Sequence, residues 1–365
     1  MRGPWHLRAM RSLCLLAALL SLLPITPRAA PSPAADCAGL SGLSGHTIRW
    51  ILPSKPGGSF DAYSRLLQPF IEARLDARLV IDNRPEAGGI VAALTIRDAP
   101  PDGKSIGIIN APGLLTAKII GNGAVPDPAT DFTTLGRVVA SDYVMFTGDG
   151  SGFTDIDALL RSSDNTPVLV GVRDAGSSSF LAVPVTASLI GLRVALVTGY
   201  VGNAMRTLAT IRGEVDIVIH NVDTARRYME SGELLPLLQV NGSPGAAGRG
   251  IPLLGGPDGL ARQRAAATGR TAAEAERDAQ ALGNILRSGR LVVAPAGLPE
   301  PMSACLGTVL FDVLSSAELL AAAERAELKL GPADRQTAHQ DLLMAARQLA
   351  QFQPLLEAAI EQIRQ

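Results

Sequence analysis

The chain has 365 residues, with 33 Lys and Arg against 34 Asp and Glu and a formal net charge of −1. That balance carries no basic stripe to attract nucleic acid or an anionic membrane, and the length allows two domains of the usual ~100–200 residues. Its cysteines are Cys14, Cys37 and Cys305, with no CxxC pair, so a zinc site or a thioredoxin-like redox motif has no support.

Arg2, Arg8 and Arg11 precede an apolar run from Leu13 to Leu23, which Pro24 breaks; small residues follow at Ala29–Ala30 and Ala34–Ala35. This charged, apolar, small-residue order predicts a secretory signal peptide over residues 1–35. The run is shorter than the ~20 residues that cross a hydrocarbon core, which argues against the alternative of a membrane anchor. A lipoprotein site at Cys37 is a further alternative, with Asp36 before it a poor fit. Removal of residues 1–35 takes away Arg2, Arg8, Arg11 and Arg28 and leaves a periplasmic chain with a net charge of −5. In that oxidising compartment Cys37 and Cys305 are able to form one disulfide; two unpaired thiols are the other reading.

From His46 onward, short apolar runs alternate with segments of helical periodicity. Residues 47–53 read as a strand, 61–75 as a helix with Leu66, Leu67, Phe70 and Ile71 on one face, and 79–83 as a strand. A helix over 88–98 and a strand over 105–110 follow, then a Pro- and Gly-rich link. Gly136–Thr147 reads as one long strand. A second series begins there: helix 155–161, strand 168–172, a helix from Ser178, strand 193–197, helix 203–211, strand 215–219, helix 223–231 and strand 235–240. Such units predict parallel sheets with buried faces. The remainder, including a strand at 290–294 and a helix at 299–315, is too little for a third domain and returns to the first. The expected organisation is a first lobe of residues 36–140 plus 241–365, with an insertion at 245–288, and a second lobe of residues 141–240. Two crossings, near residues 140 and 240, join them.

Enzyme signatures are missing. The sequence has no GxGxxG opening a helix, no GxxxxGK[ST], no HExxH and no GxSxG. His46, His220 and His339 show no ligand-like spacing; His220, at the end of an apolar strand, fits either a cleft or a plain satisfied core position. No catalytic residue, metal site or cofactor is expected. Gly- and Ser-rich turns stand instead between strands and helices. In Pro53–Asp61, Gly57 and Gly58 allow close backbone approach, Ser59 offers a hydroxyl and Asp61 is placed to cap the helix. Glu86–Gly89 is a second such turn. Ala175–Ser179 contains Ser177, Ser178 and Ser179, and Gly199–Asn203 contains Tyr200, Gly202 and Asn203. Each taken singly reads as a turn and a cap. Four distributed over two lobes point to a cleft lined by backbone donors, because free N–H groups at helix starts favour anions. Ligands of open α/β sheets sit outside the carboxyl ends of strands, where these turns lie.

The strings ILPSKPGGSFDAYSRLL, VIDNRPEAGGIVAA and APPDGKSIGIIN, with VTGYVGNAMRTLATIRGEVDIVI and LVVAPAGLPEPM further on, resemble the receptor family of tripartite tricarboxylate transporters. The resemblance covers roughly 47–240 and 290–350 in consistent order. It implies a two-lobed, flytrap-like periplasmic binding protein, in keeping with the α/β reading of each lobe as a mainly parallel sheet flanked by helices; a monomer is expected. It also implies a small carboxylate ligand and integral membrane transporter subunits as partners. Glu86 stands where the family usually has glycine, and the 245–288 stretch is longer than usual. The ligand-binding set expected is Gly57, Gly58, Ser59, Asp61, Ser177, Ser178, Ser179, Tyr200, Gly202 and Asn203, with Asp61 ordering the turn or a water rather than meeting the anion. A ligand-sensing protein that signals to a membrane partner and a secreted enzyme with unrecognised catalytic residues are the competing readings.

Overall fold

The structure, a computed structural model, describes residues 42–364 except 122, 123, 175 and 201. The expected signal segment and Cys37 lie outside the described residues.

The first series runs β1 (Thr47–Leu52), α1 (Ser59–Leu75), β2 (Arg78–Asn83), α2 (Ile90–Arg97), β3 (Ser105–Asn110), α3 (Ala111–Ile119) and β4 (Phe132–Val139). The second runs β5 (Tyr143–Gly148), α4 (Ile156–Ser163), β6 (Val168–Gly171), α5 (Ser178–Ile190), β7 (Val194–Val197), α6 (Asn203–Ile211), β8 (Ile217–Asn221), α7 (Val222–Glu230) and β9 (Leu234–Gln239). The chain ends with α8 (Leu260–Gln263), α9 (Ala272–Arg287), β10 (Arg290–Pro295), α10 (Glu300–Leu314), α11 (Ala317–Arg325), α12 (Arg335–Leu349) and α13 (Gln353–Arg364).

Two five-stranded sheets result, ordered β2-β1-β3-β10-β4 and β7-β6-β8-β5-β9. In each, three strands of βαβ units run parallel, as the alternation of apolar runs and helices predicts. The other two pairings in each are antiparallel, so both sheets are mixed. The antiparallel strands are those that enter each sheet directly from a crossing or from the 240–289 excursion, with no βαβ helix to reverse the chain. β10 inserts between β3 and β4 and is buried along its whole length. It starts with no room to spare: a Cβ on Gly289 (φ +68°) would lie 1.9 Å from the Val139 carbonyl oxygen.

The single strand expected over 136–147 is two strands in different sheets, β4 and β5, separated by Ala140–Asp142. Composition hides the break because both halves are apolar; what makes it is polar and long-range. Asn241 donates to the Ser141 carbonyl (3.1 Å) and accepts from the Tyr143 N–H (2.6 Å), so its amide ties the two crossings together. Asp142 pairs with Lys329 across 2.5 Å. The helix α3 lies in the stretch read as a Pro- and Gly-rich link. Pro112 is harmless there, since a proline in the first helical turn loses no hydrogen bond.

The 245–288 segment packs as part of the body. α9 lies against α12 and α5, and Arg264 and Arg270 donate to the carbonyls of Ile190 (3.0 Å) and Ser188 (2.9 Å). Cations thereby meet the free carbonyls at the C-terminus of α5. α13 also reaches the second sheet, packing on α5 and β7. One large apolar cluster joins α3, α5, α9 and α12, while two smaller ones fill the outer faces of the sheets. No single described helix is long and apolar enough to cross a membrane.

Cys305 is buried on α10 at 2% exposure. A bond from it to Cys37 would close a loop of roughly 270 residues and, in the chain-entropy model, stabilise by several kcal/mol. Alkylation of unreduced native protein followed by intact-mass measurement is expected to label neither thiol; two labelled thiols would reject the bond.

Candidate functional site

The carboxyl ends of the parallel strands of both sheets, with the starts of β5 and β10, face a cleft of about 660 Å³. Nine of the ten expected site residues line it: Gly57, Gly58, Ser59, Ser177, Ser178, Ser179, Tyr200, Gly202 and Asn203. Asp61 lies just behind, 2% exposed.

The first turn is built around Asp61. Glycine at 57 (φ +78°) turns the backbone, and one Asp61 oxygen accepts from the Gly57 N–H (2.9 Å) and Arg65 Nε (2.8 Å). The other accepts from Asn83 Nδ2 (3.1 Å), which also donates to the Ser54 carbonyl (2.8 Å). Asp61 is therefore not the helix cap that sequence suggests. Gly58 occupies the N-cap without a side-chain bond, and Asp61 holds the turn from within the first helical turn. Burial, the largest single influence, raises its carboxyl, but bonds from Arg65, Gly57 and Asn83 outweigh it and hold the group below the ordinary carboxylate value. It is a fixed anion facing its own turn: it takes the Gly57 N–H, the Lys55 carbonyl takes the Gly58 N–H (3.0 Å), and Ser59 brings a hydroxyl to the cleft.

The second turn, Glu86–Gly89, places Ala87, Gly88 and Gly89 in succession at positive φ. It meets the opposite sheet: Arg173 Nη2 donates to the Gly88 carbonyl (2.7 Å), and a Cβ on Gly88 would come within 2.5 Å of Asp174 Oδ1. Across the same gap, Ser178 Oγ donates to Asn110 Oδ1 (3.1 Å).

The three serines have different tasks. Ser177 caps α5 by accepting from the Phe180 N–H (3.3 Å), a common use of serine at that position. Ser179 accepts from the Arg173 N–H (3.2 Å) and pairs with Ser177 Oγ at 2.9 Å. Only Ser178 reaches toward the first sheet.

Asn203 is held more tightly than its place at a helix start suggests. Its amide donates to Asn221 Oδ1 (2.7 Å), and its carbonyl accepts from Arg206 Nη2. Arg206 is 2% exposed and also donates to the carbonyls of Gly171 and Ile219, each at 3.2 Å, near the ends of β6 and β8. Burial, then the neighbouring Arg173 cation, push its guanidinium down to about 9, so it stays charged at neutral pH. Asn203→Ala should consequently lower the stability of the empty protein by about 1–3 kcal/mol, because Arg206 loses a buried acceptor. Urea unfolding measures it; unchanged stability with lost affinity would mean that Asn203 serves the ligand alone.

Sequence reading missed Arg206 and Arg290. Arg290, 6% exposed, opens β10, donates to Ser59 Oγ (3.1 Å) and lies over the rings of Phe60 (4.6 Å) and Tyr63 (4.7 Å). A charged residue at the mouth of the apolar run RLVVA, and an arginine one turn after Asn203 among apolar helix positions, were the available signals. Among the described residues, Lys55, Arg173, Arg206 and Arg290 line the cleft against Asp174 and Asp223. The site is thus a positively biased pocket of backbone donors, hydroxyls and amides. His220 does not line it. It is 1% exposed, Nδ1 meets the Asn221 carbonyl and Nε2 the Thr207 hydroxyl, each at 2.9 Å, so it is a satisfied core histidine.

Two mixed sheets with a polar cleft at their strand ends are the architecture of periplasmic binding proteins, and solved structures of that class share it. "R. palustris Rpa4515 with adipate" superposes with a TM-score of 0.67 at 20% identity, covering 86% of this chain and 97% of that one. MatC from Rhodopseudomonas palustris with bound malate gives 0.63 at 19% identity, over 87% and 99%. The periplasmic binding protein BugD gives 0.65 at 19% identity, over 86% and 98%. These likenesses establish the fold.

The family model described as "Tripartite tricarboxylate transporter family receptor" matches residues 64–247, and the chain belongs to that family. A UPF0065 protein from the tcbD-tcbE intergenic region of Pseudomonas sp. (strain P51) is 28% identical over 182 residues, 49% of this chain and 54% of that protein. Protein BugT of Bordetella pertussis is 23% identical over 193 residues, 52% and 59% of the two chains. The matched stretch thus spans about half the length of these curated relatives.

Proposed function

We propose that this protein is a periplasmic receptor that captures a small carboxylate in the cleft and delivers it, unchanged, to the integral membrane subunits of a tripartite tricarboxylate-type transporter. The observation that carries the reading is the convergence of donor-rich turns from both sheets on one positively biased cleft. Gly57, Gly58 and Ser59 stand on one side, and Ser178, Tyr200, Gly202 and Asn203 on the other. Each hydrogen bond to a charged group contributes ~1.5–3 kcal/mol. Three or four, less the cost of association, are compatible with about −8 kcal/mol, a micromolar dissociation constant.

In this reading the lobes, residues 36–140 with 241–365 and residues 141–240, close about the crossings at Ser141 and Asn241. Closure is favourable only with ligand, since only the closed form brings both donor sets to it. α9 and α13 reach across to pack on α5. The receptor works as a monomer exported through a signal peptide. Membership of a receptor family and solved relatives holding adipate or malate support the ligand class.

A thermal-shift screen of the mature protein against a carboxylate panel tests it. A ligand at 100 times its dissociation constant should add about 2.7 kcal/mol of stability, and mass spectrometry should recover it unaltered. A product formed only in the presence of the protein would move the chain to the enzymes.

A further inference from the structure

We propose that Asp223 sets the ligand class of the cleft, selecting a carboxylate that also carries an ammonium or hydroxyl group close to it over a plain mono- or dicarboxylate. The inference rests on the carboxylate-receptor reading and narrows it.

Asp223, the second residue of α7, lines the cleft, and its side chain is 7% exposed. Its Oδ1 is shielded from solvent and accepts no hydrogen bond within the protein; Arg226 Nη2, at 3.6 Å, is beyond hydrogen-bond distance. A buried acceptor left in that state is costly, and in native proteins such groups call for a partner. The carboxylate's place in the first turn of a helix does not account for it, because the helix dipole favours an acid there without any burial. Burial raises the Asp223 carboxyl, while Arg290, Arg226 and Lys329 draw it back down and Asp142 adds to the rise.

The nearby cation Arg290 shows the complementary deficit. Its Nη2 is held by Ser59, but Nη1, also shielded, has no acceptor. Arg173 is engaged with the Gly88 carbonyl and Asp174, and Arg206 spends Nη1 and Nη2 on two carbonyls and Asn203 while its Nε, like Arg290 Nη1, has no acceptor. Among the described residues that line it, the cleft therefore presents unfilled donors at Arg290 Nη1 on β10 and Arg206 Nε on α6, and one unfilled acceptor, Asp223 Oδ1 on α7, beside the backbone turns. A ligand with a carboxylate and a neighbouring ammonium or hydroxyl supplies both counterparts. A second carboxylate at Asp223 meets a like charge, and a methylene leaves the acceptor unpaired. Sites built to hydrogen-bond a ligand N–H or O–H discriminate strongly against analogues lacking it.

The test is calorimetric titration of the mature protein with two matched series, propionate, lactate and alanine, and succinate, malate and aspartate. In the series that binds, the hydroxyl- or amino-bearing member is expected to bind at least tenfold more tightly than the unsubstituted acid. Asp223→Asn should shrink that preference to within about threefold while the protein stays folded by circular dichroism and melts no lower. An unsubstituted acid that binds as tightly as its substituted partners, or a preference that survives Asp223→Asn, overturns the role of Asp223 and leaves the receptor reading standing. If neither series binds, and adipate and citrate fail as well, the receptor reading falls and this one with it.

Discussion

Arg206→Ala should destabilise the protein by about 3–5 kcal/mol and abolish carboxylate binding. The substitution strips a charged donor from the buried carbonyls of Gly171 and Ile219 and from Asn203, and leaves a void where the guanidinium lay. Orphaned buried acceptors cost ~1–3 kcal/mol each, and losses of this size come from such networks. The functional loss follows from position. Gly171 ends β6, Ile219 is in β8, and Asn203 opens α6, so one side chain holds three of the elements that shape the second half of the cleft. Urea unfolding and calorimetry on the same variant read both effects. A variant that keeps wild-type stability would mean that Arg206 is a surface-like cation, contrary to its burial.

Acid should weaken the fold through His220 before the carboxylates titrate. The Asn221 carbonyl can only accept, so Nδ1 carries the proton and Nε2 accepts from the Thr207 hydroxyl. Burial first, and the Arg206 cation second, push the imidazole from the ordinary 6.5 down to about 3. A histidine whose folded value lies below its unfolded one contributes its full stability above pH ~6.5. That contribution is lost as pH falls from 6.5 toward 3, because only the unfolded chain takes up the proton in that window. The slope approaches 1.4 kcal/mol per pH unit. Unfolding free energies at pH 7, 6 and 5 should fall in the wild type and flatten in His220→Gln. Equal slopes in the two proteins would show that another group controls acid stability.

Sequence pattern made some of this legible and some not, and the division is physical. The parallel strands β1, β2, β3, β6, β7 and β8 lie in local βαβ units, where apolar runs and helix periodicity act over a few residues. The turns at Gly57–Ser59 and Ser177–Ser179 were visible for the same reason, since glycine and serine before a helix carry a local meaning. The break at Ala140–Asp142 was hidden because Asn241 and Lys329, distant in sequence, fix it. Arg290 was hidden for a related reason. Its value lies in Ser59, Phe60 and Tyr63, which sheet topology brings to it across more than half of the chain. Asp61 and Asn203 were visible as residues, but their tasks depend on Gly57, Asn83 and Arg206.

The central claim is that one carboxylate is held from both sheets at once. Ser59→Ala on the first sheet's side and Ser178→Ala on the second's remove one hydroxyl each and little volume. Calorimetric titration of the wild type and both variants with the best carboxylate from the screen tests the claim most directly. One-to-one binding by the wild type is predicted, with each substitution weakening affinity by ~1–3 kcal/mol, roughly 5- to 150-fold. Wild-type affinity in either variant would contradict it, because the ligand would then be held from one side only.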